Sequence, residues 1–168
     1  GATDNLSAVA PPMCIAKILK EWKTSNPDLY PKNTEVVIAV LGSEEPGCRG
    51  AEAFAIKHKD EYNKMDTSCV NMESLVESRY QGIFNKEVVL DFPKDVVNLL
   101  AQCCEELGYK TDIGPCPPIA GGTDARGFAK YGLRASSLIG LRYKDYLHYY
   151  HTSRDNMDMI NKERRPLD

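Results

Sequence analysis

Four short segments of the chain concentrate side chains that bind metals or move protons: Gly1-Ala-Thr-Asp-Asn5, Gly42-Ser-Glu-Glu-Pro-Gly47, Asn71-Met-Glu-Ser74 and Tyr150-His-Thr152. Taken singly, each has an ordinary reading. Asp4 can cap a helix, Glu44 and Glu45 can be solvated loop charges, Glu73 a surface carboxylate and His151 a loop histidine. The paired glutamates are the most suggestive, because they follow a hydrophobic run and adjacent side chains near a strand end project in opposed directions. One carboxylate can then ligate a metal while its neighbour faces the water that the metal activates, the division that metal-assisted hydrolysis requires. Carboxylates with histidine and no thiolate suit zinc, with an open fourth position for that water.

The elements that must position these side chains follow from hydrophobic period and punctuation. Ser7 to Trp22 reads as a helix with Ser7 as its cap, and the NPDLYPKN stretch breaks it. Glu35–Leu41 is a continuous apolar run rich in β-branched residues, which predicts a central strand covered on both faces and ended by Gly42. Gly50 to His58 has helical pattern, Ser68 to Ser74 reads as a second buried strand, and Pro93 to Leu107 as an amphipathic helix closed by Gly108. Tyr109–Ile113 resumes the sheet, Thr123 caps a short helix ending near Gly132, Arg134–Gly140 returns as a strand, and Asp155 onward is polar and helical. The alternation predicts an α/β fold with a mostly parallel sheet flanked by helices. With no internal repeat or linker, residues 1–168 are expected to form one domain.

Bulk composition removes some function classes. Among 168 residues, 21 are basic and 24 acidic, a formal charge of −3 without the concentrated basic face of nucleic-acid binders, so that partner class is not expected. The longest apolar run, Val36–Gly42, falls far short of the roughly 20 residues that span a bilayer. The six cysteines (Cys14, Cys48, Cys69, Cys103, Cys104 and Cys116) form no CxxC spacing, and most are expected as reduced core thiols. His58, His148 and the Lys162–Arg165 run are assigned to structure or surface.

Taken together and in order, the motifs resemble the co-catalytic zinc exopeptidases that include aminopeptidase Y, bacterial leucyl aminopeptidases and glutamate carboxypeptidase. GATDN, VVIAVLGSEEPGCRGAEAFA, VNMES, GGTDARGFAKYGLRASSLIGL and YYHTSRDNMDMI correspond to that family's GxxDN, GxEExGLxGSxxFA, NxD, SDHxxFxxxGxPA and YHTxxDTxD patterns. The resemblance implies Asp4 as the carboxylate bridging two zinc ions, Glu44 as general base, and Glu45 and His151 as ligands of one zinc. It implies Glu73 as a ligand of the second zinc, one methylene longer than the family's aspartate. Tyr150 matches the tyrosine whose hydroxyl polarises the scissile carbonyl in several members. The family's remaining zinc histidine precedes GxxDN, so the resemblance implies the C-terminal part of a catalytic domain, lacking its first strands and holding one or two Zn2+ ions. Arg126 stands in a loop where the family often has histidine, and a salt bridge to Asp124 or another loop acid is the expected use of its charge.

The expected activity is release of N-terminal residues from peptide substrates. A related single-zinc glutaminyl cyclase shares the opening motif nearly unchanged and uses Asp, Glu and His on its metal. It generally carries tryptophan where this chain has Tyr150, and it inserts a longer segment after the paired glutamates. A third reading is a catalytically silent relative used as a binding module. Against it, a carboxylate cluster repels itself without a metal.

Overall fold

The computed structural model of the chain describes residues 1–63, 66–77, 80–141 and 147–162. Its helices are α1 (Ser7–Ser25), α2 (Arg49–Tyr62), α3 (Lys94–Glu106), α4 (Asp124–Ala129) and α5 (Met157–Lys162). Its strands are β1 (Cys69–Glu73), β2 (Tyr80–Glu87), β3 (Leu90–Asp91), β4 (Lys110–Pro115) and β5 (Ala135–Ile139).

The sheet is mixed. β1 pairs parallel with β5, in a register that places Asn71 beside Ser137 and Glu73 beside Ile139. β2 pairs parallel with β4 and antiparallel with β5 and β3. The β2–β5 crossing is tight: a Cβ on Gly82 would stand 2.7 Å from the Ile139 side chain, so only glycine fits there. The core gathers on Ile83, Phe84, Phe128 and Ala135 with Ala51 and Ala55 from α2. Gly127 admits α4 against α2, since its missing Cβ would lie 2.8 Å from that of Ala51. No helix among the described residues is long and apolar enough to cross a membrane.

Most expected elements form where pattern and punctuation place them, with four differences. First, Ser7 is not the cap of α1 but its first residue, and its hydroxyl donates to Thr3 O at 2.7 Å. Second, Thr123 is the N-cap of α4, yet its hydroxyl serves Glu87 rather than the helix. Third, β2 and β3 form a hairpin that the hydrophobic pattern did not announce.

The fourth difference is the largest: Glu35–Leu41, expected as a central strand, has extended sequence character but no ladder partner. Val36, Val37 and Val40 are 47%, 50% and 60% exposed. A cavity of about 930 Å3 separates this segment from the β1 edge, lined by Glu35, Val37 and Val40 on one side and Cys69, Val70 and Met72 on the other. A strand needs a neighbour for its backbone groups, and here the described residues supply none.

All six cysteines are free. Cys48 and Cys104 are buried as expected, whereas Cys14 and Cys103 are exposed. The Lys162–Arg165 side chains lie outside the described residues.

Candidate metal centre

Asp4 is held between two distant parts of the chain. Asp155 accepts the backbone N–H of Thr3 at 2.7 Å and that of Asp4 at 3.0 Å, and its own carbonyl accepts from Ala2 at 3.1 Å. Asn5 binds the other flank: its Nδ2 donates to Met72 O at 3.2 Å and its Oδ1 accepts from the Ser74 N–H at 2.8 Å. The opening motif is thereby fastened to the C-terminal end of β1, the end where open α/β sheets carry their sites.

Around that point three donors converge. His151 Nε2 lies 3.4 Å from Asp4 Oδ2 and 3.0 Å from Glu45 Oε1. One ligand atom from each of Asp4, Glu45 and His151 falls within 4.8 Å of the others. A tetrahedral zinc with donors about 2.0–2.2 Å away sets those donors about 3.3–3.6 Å apart, so the spacing and the oxygen–nitrogen donor set both fit. Glu73 is outside this triangle, although its carboxyl still feels the charges of Glu44 and Asp4.

The adjacent glutamates part. Glu45 reaches the triangle and is exposed, while Glu44 turns inward toward Cys48, whose Sγ lies 3.7 Å from its Oε1 and 3.2 Å from Thr123 O. The single thiol proton serves one of these acceptors at a time. Burial, the Glu45 charge and the Asp124 charge push the Glu44 carboxyl up to about 7. Burial pushes Glu73 up to about 8 and Asp124 up to about 6. Asp4 is raised by burial and by Glu45. Burial alone would raise Asp155 as well, but the N–H bonds from Asp4 and Thr3 outweigh it and hold its pKa below the ordinary value.

Tyr150 stacks on His151, ring centroids 3.8 Å apart, and burial together with the Asp4, Glu45, Glu44 and Glu73 charges pushes its hydroxyl up to about 12. It therefore stays protonated as a donor near the carboxylates. Backbone strain concentrates here too. Of the five non-glycine residues with left-handed φ among those described, Ser43 precedes Glu44, Cys48 faces it, Ser74 follows Glu73, and His151 is itself in the triangle. Such conformations cost free energy and persist where packing imposes them, commonly at functional sites.

The Asp124 shift comes from burial, and burial also raises Glu87, a rise that the Thr123 hydrogen bonds and the Arg126 charge partly offset. His58 stacks on Tyr62 and meets Glu61 at 3.4 Å, and His148 is exposed, in keeping with structural and surface roles. Sequence reasoning passed over Asp155, Asn5, Cys48 and Glu87. The first three lie inside the family-like motifs, and for Asp155 and Asn5 the capacity to fasten backbone was the available signal. The large cavity beside β1 does not include Asp4, Glu45 or His151, although Asn5, Asn71 and Asp124 line it.

Comparison with known proteins bears on the fold and the family. No curated protein matches the chain. Among solved structures, Legionella LapA superposes with a TM-score of 0.70 at 21% identity, over 95% of this chain and 42% of its own. A second structure, the Legionella pneumophila LapA aminopeptidase, gives 0.56 at 21% identity over 71% and 32%. The aminopeptidase from Aneurinibacillus sp. strain AM-1 gives 0.55 at 20% over 73% and 28%. The chain thus spans less than half the length of these structures, and the likeness is one of fold. The sequence match is to peptidase family M28 over residues 1–165, and the chain belongs to that family.

Proposed function

We propose that residues 1–168 make up the C-terminal portion, as one domain, of the catalytic unit of a zinc-dependent aminopeptidase. The observation that carries this reading is the Asp4–Glu45–His151 triangle with Glu44 beside it but turned away. Family M28 is generally zinc-dependent, and the donor set fits that ion. Bound zinc would supply Lewis acidity, making a water nucleophilic near neutral pH.

The chain's own groups do the rest. Asp4, Glu45 and His151 would hold the ion. Glu44 takes a proton from the attacking water onto a carboxylate oxygen, and then passes it to the departing amine nitrogen. The Tyr150 hydroxyl donates toward the developing oxyanion. Glu73 would serve a second ion together with Asp4, the weaker position because the described residues bring no histidine to it.

One observation favours a second reading: the triangle leaves Glu73 out, as a single-zinc glutaminyl cyclase would. The test is hydrolysis of aminoacyl-nitroanilides against cyclisation of peptides with N-terminal glutamine, with zinc present. Release of nitroaniline that chelator abolishes supports the aminopeptidase. Faster cyclisation than release replaces it with the cyclase, and inactivity with both in a zinc-loaded protein leaves the silent module.

A further inference from the structure

A line of buried polar side chains runs from beside the metal centre into the core. Glu73 Oε1 accepts from Asn71 Nδ2 at 2.9 Å, and the same Nδ2 donates to Ser137 Oγ at 3.2 Å across the parallel β1–β5 pair. Ser137 Oγ meets Thr123 Oγ1 at 2.6 Å. Thr123 Oγ1 donates to Glu87 Oε1 at 2.6 Å, and the Thr123 backbone N–H donates to Glu87 Oε2 at 2.9 Å. Glu87 and Ser137 are 0% exposed and Thr123 is 4% exposed. A carboxylate at the end of β2 is an odd occupant of a core, and no step of the proposed mechanism uses it.

With Glu73 and Glu87 both ionised, the proton inventory allows one direction only. The Asn71 amide nitrogen is purely a donor, so Ser137 must accept from it and turn its own hydroxyl proton elsewhere. Its acceptors are Thr123 Oγ1 and Glu87 itself, and Thr123 Oγ1 in turn donates to Glu87 Oε1. The Thr123 backbone N–H, which cannot be reversed, fixes Glu87 Oε2 as an acceptor, and an ionised Glu87 accepts at Oε1 as well. At the near end, turning the Asn71 amide over would set its oxygen against Glu73 Oε1, which for an ionised Glu73 leaves two acceptors without a proton between them.

We propose that Glu87 is a positioning residue for Glu73, acting through Thr123, Ser137 and Asn71 to fix which Glu73 oxygen is tied to Asn71 and which is left for the site. The metal-related part of this inference rests on the aminopeptidase reading above, while the positioning itself does not. Thr123 is also a junction, because its carbonyl lies 3.2 Å from the Cys48 thiol that faces Glu44. One buried carboxylate therefore reaches the surroundings of both acids at the site.

Neighbouring serines on β5 provide a matched control. Ser136 is as buried as Ser137, but its hydroxyl donates to Phe84 O at 2.8 Å and stands off the line. The experiment compares Ser137→Ala, Ser136→Ala, Glu87→Gln and the double variant Ser137→Ala/Glu87→Gln. It follows hydrogen exchange of the Asn71 side-chain amide by NMR in the metal-free chain, and kcat and KM in zinc. Ser137→Ala and Glu87→Gln should each speed Asn71 amide exchange by about tenfold, the scale of one lost hydrogen bond. The double variant should go no further, because either change breaks the same line. Ser136→Ala should lower thermal stability yet leave Asn71 exchange unchanged. In active protein, the two line variants should lower kcat with KM held.

Equal Asn71 exchange in the two serine variants, or additive effects in the double variant, would overturn the positioning role. A wild-type protein that binds no zinc would remove the aminopeptidase reading, yet the Asn71 measurement would still decide for or against the line.

Discussion

Asp155 Oδ2 accepts the backbone N–H of Asp4 at 3.0 Å, across 151 positions of sequence. With Oδ1 bound to the Thr3 N–H, one carboxylate fastens the turn that presents a proposed metal ligand. Asparagine in its place can accept through only one of its two terminal atoms. Asp155→Asn should therefore cost about 1–3 kcal/mol of stability for the stranded N–H. Zinc affinity should fall as well, because Asp4 is no longer aimed. Thermal denaturation and chelator competition measure the two effects, and unaltered zinc affinity would detach Asp155 from the site.

The acids around the triangle give the metal-free chain an unusual pH dependence. Glu44 and Glu73 sit at about 7 and about 8, Asp124 at about 6, and Asp4 is raised. A raised folded-state value means the folded chain holds protons that the unfolded chain has released. That stability is fully present below about pH 4, the ordinary carboxylate range, and is lost as pH climbs through the raised values. Asp155 is lowered, so its contribution runs the other way and is lost only in acid. In chelator, the melting temperature should fall between about pH 5 and about pH 8. Zinc, which binds the deprotonated carboxylates, should raise it most at the alkaline end. A melting temperature in chelator that rises over the same interval contradicts the clustered acids.

Backbone hydrogen exchange should separate two apolar segments of similar composition. Residues 36–40 have no ladder partner and should exchange almost as fast as free peptide, whereas β5, paired with both β1 and β2, should be strongly protected. Equal protection of the two segments would show that Glu35–Leu41 is a paired strand after all.

How much of this was legible depends on whether the deciding physics was local. Proline at the start of α3 and Gly108 after it, with φ +80°, announce that helix in the sequence itself. β1, β4 and β5 were readable as short segments between helices and turns, where the alternation of elements calls for strands. The β2–β3 hairpin was not, because it turns at Val88 and Val89 with Val88 at φ +52°, where turn chemistry would call for glycine or asparagine. Glu35–Leu41 shows the opposite failure: its composition asks for burial in a sheet, but composition does not supply the neighbouring strand. At the site, motif order brought Asp4, Glu45 and His151 forward and the fold brings them together. Glu87 escaped because a lone glutamate reads as surface until tertiary contacts place Thr123 and Ser137 over it.

The central claim is that Asp4, Glu45 and His151 hold one zinc while Glu44 serves the water. Zinc content after exhaustive dialysis, measured on the wild-type chain, Glu44→Gln and Glu45→Gln, tests it most directly. The wild type and Glu44→Gln should each retain about one equivalent, because glutamine at position 44 removes a base and no ligand. Glu45→Gln should retain far less, and excess zinc should restore part of it, since a neutral amide is a poor substitute for an anionic ligand. Loss of zinc from Glu44→Gln with retention in Glu45→Gln would reverse the two roles, and a wild-type chain that holds no zinc would contradict the metal centre itself.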